Sequence, residues 1–228
     1  MSIFHPADLK CPNCGTVFET QRNASVNVDR RPDLREAILD GAFQKENCSK
    51  CGTEMRLPPH LTYLDLGRQQ WIMVEPASLL EQWPAAEEDA RATFAETFGD
   101  QAPPAAQELA KNLQHRLVFG WPAMREKLIA RELGLDDITL ELLKIAIIRD
   151  VPKPRVADQT ELRLADGDAE KLNFVWVVAE TEQPLAALPV PREIYDDVAG
   201  DTEAWEPLRS QFEGKFLVDL KRLTAGPD

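Results

Sequence analysis

The residues with the clearest chemical spacing are four cysteines in two copies of one short motif, Cys11-Pro12-Asn13-Cys14-Gly15 and Cys48-Ser49-Lys50-Cys51-Gly52, with 33 residues between Cys14 and Cys48. A two-residue spacer lets both sulfurs of such a hook turn toward one ion at about 2.3 Å, and the following glycine permits the positive φ that brings backbone N–H groups near the thiolates. Two hooks complete a tetrahedron. The expectation is one closed, structural Zn²⁺ per chain, held by Cys11, Cys14, Cys48 and Cys51. Iron is the less favoured occupant: rubredoxin-like sites use the same hooks, including a C-P-x-C-G form, but no further cysteine here supports electron transfer. A thioredoxin-type role for the first pair is disfavoured as well, because such a pair follows a strand and opens a helix. Here strand-like residues, Thr16-Val17-Phe18-Glu19-Thr20, come after it. A closed tetrahedron leaves no position for water or substrate, so the ion would hold the fold together and activate no nucleophile.

The elements that must position the hooks are read from turn and capping signals. Residues 16–20 and 24–28 have strand-like composition, and Pro32 opens a short helix through Leu34, Ile38 and Leu39 that ends before Gly41. Residues 53–57, 61–66 and 70–75 read as three more strands. Residues 77–100 look helical, with Pro84 expected to break or kink the run, and a second helix is expected over about 105–115. Pro122 and Gly134 bracket a further helix. Asp136 and Asp137 start another, which Ile138, Leu142, Leu143, Ile145, Ile147 and Ile148 should bury over most of its girth. The string Val151-Pro152-Lys153-Pro154-Arg155 is the best boundary in the chain. Beyond it, residues 161–164 and 172–179 read as a hairpin about Asp166-Gly167-Asp168, 191–198 as a short helix and 215–220 as a closing strand. The predicted fold is α+β. Residues 1–150 form a first unit, with a zinc-ribbon-like four-cysteine lobe built into a small sheet (1–76) and a helical part (77–150). Residues 151–228 form a C-terminal α+β extension or small domain.

Charge divides along the same lines. Residues 1–76 hold nine Lys and Arg against ten Asp and Glu, while residues 77–228 hold 17 against 29, so nearly all of the net charge of −13 lies after the hooks. Four thiolates around one Zn²⁺ would add a further −2 to the first part. A general nucleic-acid binder needs surplus cations to release phosphate counterions, which the acidic part excludes and the near-neutral part makes unfavourable. The one basic cluster near the hooks, Arg30, Arg31 and Arg35, lies among matching acids and reads as local ion pairs. The N-terminal MSIFHPADLKCPNC has no charged-then-apolar stretch, and no apolar run reaches the roughly 20 residues of a membrane span. A cytoplasmic location is expected, where close cysteine pairs bind metal rather than form disulfides.

The strings CPNCGTVFET and ENCSKCGTEMRLPPHLTYLDLGRQQWIMVEP, followed by RLVFGWPAMREKLIARELGLDDITLELLKIAII, resemble the CpXC-domain family of bacterial and archaeal proteins. The similarity covers about residues 8–148 and leaves 155–228 outside it. It implies a four-cysteine, metal-binding domain and marks Cys11, Cys14, Cys48 and Cys51, with nothing catalytic. Ser49 stands where the family commonly has Pro, which loosens the turn and leaves the thiolates in place. His5, His60 and His115 are scattered, and only His60, near Tyr63 and Asp65, is a candidate polar group beside the metal lobe. Phosphate-loop, dinucleotide and nucleophile-elbow motifs are missing. Glu87-Glu88 and Asp136-Asp137 read as a solvated face and a helix cap. The resulting expectation is a non-enzymatic adaptor whose partners are proteins with basic surfaces. The alternatives are an enzyme or enzyme subunit with its active groups near Asp166 and Asp168, and nucleic-acid binding by the zinc lobe.

Overall fold

A computed structural model describes residues 3–150 and 160–224, so the boundary string at 151–155 lies outside the described residues. The fold is α+β. Strands β1 (Ile3–Lys10) and β2 (Val17–Asn27) form an antiparallel hairpin, and the end of β2 runs parallel to β5 (Leu61–Asp65). Strand β5 turns back into β6 (Gln70–Glu75), and β6 pairs in parallel with β7 (Gln114–Phe119), giving the order β1-β2-β5-β6-β7. Strands β3 (Lys45–Asn47) and β4 (Glu54–Arg56) make a separate small hairpin.

Strand alternation sorts the larger sheet into two packed faces. Ile72 and Val74 join Val26, Tyr63 and Val118 on one face, beneath α1 (Pro32–Leu39) and α4 (Gly120–Glu132). Trp71, Leu117 and Phe119 lie on the other, beneath α2 (Trp83–Phe98). The rest of the chain follows α5 (Asp137–Asp150) with a meander of β8 (Thr160–Gly167), β9 (Lys171–Val178) and β10 (Pro184–Pro191). Helix α6 (Arg192–Gly200) packs on β9 and β10, and α7 (Thr202–Arg209) packs on α5 and α6. One core joins Leu140, Leu142 and Leu143 of α5 to Leu162, Leu164, Phe174 and Trp176 of the meander. Helix α4 touches β6 and β7 on one side and β8 on the other, which places it between the two sheets.

Several elements differ from their sequence signals. The two expected strands at 16–20 and 24–28 are one, β2, which runs from Val17 to Asn27. Pro84 opens α2 rather than breaking it, because at the second helical position its missing N–H costs no hydrogen bond; a 3₁₀ turn, Ala77–Gln82, precedes it. The helix expected over 105–115 ends earlier, as α3 (Pro104–Ala110), since Leu117, Val118 and Phe119 draw β7 into the sheet. Residues 215–220 form no strand; Leu217 makes a single parallel bridge to Leu117, whose N–H donates to Phe216 O at 2.8 Å. The prolines of β1 and β10 hide two strands that both sit at sheet edges, where a missing N–H is tolerated.

Glu87, expected on a solvated face, and Asp137, expected at a helix cap, are both buried. Glu87 accepts the backbone N–H groups of Phe216 and Leu217, both at 2.9 Å, and binds Arg222 at 2.8 Å, clamping the C-terminal segment onto α2. Asp136 does cap α5, accepting Thr139 N–H at 2.8 Å. Asp137 instead faces inward to Arg116 at 2.7 Å and Lys127 at 3.0 Å.

The adjoining buried charges form a chain across α4, α5, β8 and the C-terminal segment. Glu126 receives Lys144 and Arg163, both at 2.9 Å, and Leu164 N–H at 2.8 Å. Lys144 also meets Glu141 at 2.8 Å, and Arg163 reaches Glu161 at 2.6 Å and Asp219 at 2.7 Å. Burial opposes charge on Glu126, yet Lys144 and Arg163 outweigh it and hold its carboxyl below the usual range.

Candidate metal centre

Each hook sits at the tip of a hairpin, the first between β1 and β2 and the second between β3 and β4. Their backbones repeat one another. Cys11 N–H donates to Thr16 O at 2.8 Å and Gly15 N–H to Cys11 O at 2.9 Å; in the second hook Cys48 N–H donates to Thr53 O at 2.9 Å and Gly52 N–H to Cys48 O at 2.8 Å. These closures require left-handed backbone at the fifth position, and Gly15 and Gly52 supply it with φ of 71° and 70°. The tips meet because the small hairpin lies along β2, where Thr20 Oγ1 bonds Glu46 and Asn23 N–H bonds Gln44.

All four Sγ atoms lie within 4.8 Å of one another. Cys11 and Cys51 are 3.6 Å apart and Cys14 and Cys48 3.5 Å, so the thiol hydrogen bonds run across the hooks. These separations are far longer than the ~2.05 Å of a disulfide and close to the ~3.8 Å edge of a tetrahedron whose centre is ~2.3 Å from each sulfur. The thiols and the spacing therefore fit a four-coordinate, thiophilic metal ion. The first cysteine of each hook is buried against Met55, with Leu9 and Phe18 packed alongside, while Cys14 is half-buried and Cys51 exposed.

Hydrogen bonding separates the sulfurs further. The hydroxyl and N–H of Thr53 pull the Cys51 thiol down to about 6, and Thr16 lowers Cys14 in the same way. At Cys11 the Cys14 N–H favours the thiolate, but burial and the neighbouring thiols prevail and push it up to about 11. A bound cation would draw off all of these protons.

The structure adds residues to the site that the C-x-x-C-G spacing does not name. Thr16 Oγ1 lies 3.3 Å from Cys14 Sγ and Thr53 Oγ1 3.2 Å from Cys51 Sγ, and Asn13 Nδ2 reaches over to Thr53 Oγ1 at 3.1 Å. The legible signal is that the repeat is one residue longer, C-x-x-C-G-T in both copies.

Other candidates lie elsewhere. His60 Nδ1 pairs with buried Glu75 at 2.7 Å, and His115 stacks on Phe216 at 4.3 Å; neither joins the cysteines. Asp168 caps the β8–β9 turn by accepting the N–H groups of Glu170 and Lys171, and Asp166 bonds Asn173. Among the described residues, the four cysteines are the metal-type cluster found. Arg31 is paired with Asp33 and Arg35 with Glu132, both at 2.6 Å. No helix among the described residues is long and apolar enough to cross a membrane.

With this centre in place, comparison with known families is specific. The family model described as CpXC protein matches residues 9–144, and the chain belongs to that family. No curated protein and no solved structure matches the chain.

Proposed function

We propose that this chain is a non-enzymatic protein-interaction module whose four-cysteine lobe holds one structural Zn²⁺. The carrying observation is the closed set of four sulfurs, all within 4.8 Å, on two matching hairpin tips. Such a tetrahedron ties the tips of two hairpins together and offers no open coordination position to a substrate. The acidic remainder then presents its surface to partners with basic faces. Four thiolates favour zinc over harder cations, and zinc is favoured over iron because among the described residues no second metal-type cluster is found to exchange electrons.

Elemental analysis of protein purified without added metal should give about one zinc per chain. Iron in that analysis would replace the zinc reading, and no bound metal would remove it. For the adaptor role, a partner cross-linked in the native cell and then reconstituted with the purified chain should bind more weakly as salt is raised. Salt-independent binding would contradict a basic partner face.

A further inference from the structure

We propose that the four-cysteine centre is also a site of oxidative modification by peroxide, entered at Cys51 and closed by a disulfide from Cys51 to Cys11 across the two hooks. This rests on the zinc reading for its consequence, loss of metal, but its geometry does not depend on it. Sequence spacing alone favours bridges within each C-x-x-C hook. The fold makes another arrangement: Cys51 Sγ and Cys11 Sγ are in hydrogen-bond contact at 3.6 Å, and Cys14 Sγ and Cys48 Sγ at 3.5 Å. Each crossed pair joins an outer sulfur to a buried one. Cys51 is the exposed member of the four, whereas Cys11 and Cys48 are 1% and 2% exposed. An oxidant arriving from solvent therefore meets Cys51 first, with Cys11 behind it as the resolving thiol.

The chemistry balances with hydrogen peroxide as the oxidant. The Cys51 thiolate attacks one peroxide oxygen, the O–O bond breaks and hydroxide leaves, giving a sulfenic acid at Cys51. The Cys11 thiolate then attacks Cys51 Sγ; the S–S bond forms as the S–O bond breaks, and a second hydroxide leaves. The two sulfurs lose two electrons in total, the peroxide gains two, and two protons from solvent convert the hydroxides to water. A zinc ion left with two of its four thiolates would be released.

The test treats the full chain with one equivalent of hydrogen peroxide, follows zinc with a chromophoric indicator, blocks the remaining thiols and maps peptides without reduction. The expected first product is a peptide pair joined through Cys11 and Cys51, appearing together with zinc release. A Cys51→His variant keeps a ligand of a common zinc type while removing the exposed thiol, and should retain zinc yet release it to peroxide about tenfold more slowly. Bridges within the hooks, Cys11 to Cys14 or Cys48 to Cys51, would overturn the proposal, as would unchanged release from Cys51→His. If the starting protein carries no zinc, the metal reading fails separately. Peptide mapping of that protein still decides between crossed and within-hook bridges.

Discussion

Around the hooks the buried apolar set is Cys11, Cys48 and Met55, with Leu9, Cys14 and Phe18 packed beside it. Around α5 the core runs through Leu140, Leu142, Leu143, Leu162, Leu164, Phe174, Trp176 and Phe212, and a chain of buried ion pairs is threaded through its margin. The first region has too little apolar surface to fix two hairpin tips against each other by burial; the hydrogen bonds of Thr20 to Glu46 and Asn23 to Gln44 set the hairpins side by side, and a bound ion would supply the cohesion at the tips themselves. The second has ample burial, and its charges add positional demand: each of Glu126, Lys144 and Arg163 is satisfied in this one arrangement of α4, α5 and β8. Metal removal should therefore loosen the first region and leave the second standing, while loss of a buried charge should do the reverse.

The largest effect is expected for Cys48→Ser, which removes a buried thiol of the cluster. The lobe should lose its metal and its ordered hairpin tips while helical circular dichroism from α4 and α5 persists. Metal loss with the tips still protected from proteolysis would break the contrast. Next is Glu126→Gln, which leaves Lys144 and Arg163 without their shared carboxylate in a fully buried position. It should cost about 3–5 kcal/mol in urea unfolding with metal content unchanged.

Acid gives a graded version of the same test. Burial opposes charge on Asp137 and Asp219, but Lys127 and Arg116 for the first, and Arg163 for the second, hold both carboxyls well below the usual range. A folded-state value below the unfolded one means that stability is present above the unfolded value, about 4, and is lost as pH falls beneath it. Glu141 acts in the opposite sense, since burial beside Asp219 and Glu126 pushes it up, so it regains stability as acid protonates it. That gain is complete once the pH has fallen to the ordinary carboxylate value, so below it only the losses from Asp137, Asp219 and Glu126 remain. The urea midpoint should fall steadily below pH 4, and a flat profile there would show that the ion pairs contribute little.

The smallest effect sharpens the lobe itself. Thr53→Val removes the hydroxyl beside Cys51 Sγ and keeps the backbone turn, and should weaken zinc binding about threefold to tenfold in competition with a chelator. No change would mean that the hydroxyl only fills space.

How much was legible follows from the range of each signal. The hooks, their glycines, α1, β6, α4 with Gly134 as its cap and the β8–β9 hairpin are local patterns of turn, cap and alternation, and they lie where the sequence places them. The buried roles of Glu87, Glu126, Asp137 and Glu141 are non-local. Apart from the i,i+3 pair of Glu141 with Lys144, their partners come from residues far along the chain, such as Arg163, Arg222 and the backbone of Leu217, and nothing in the carboxylates' own neighbourhood announces those. Strands β1 and β10 were obscured by prolines whose missing N–H matters only once it is known that the strands are edges. At the metal centre the four sulfurs were legible and the crossed contacts were not, since those depend on how the two hairpins meet.

Hydrogen exchange across the chain, before and after the bound metal is removed by a chelator and its removal verified by elemental analysis, tests the central claim most directly. A structural ion predicts that amides of both hooks and of β3 and β4 lose protection together while those of α4, α5, β8 and β9 keep theirs. Hook amides that remain protected in the verified metal-free protein would contradict it.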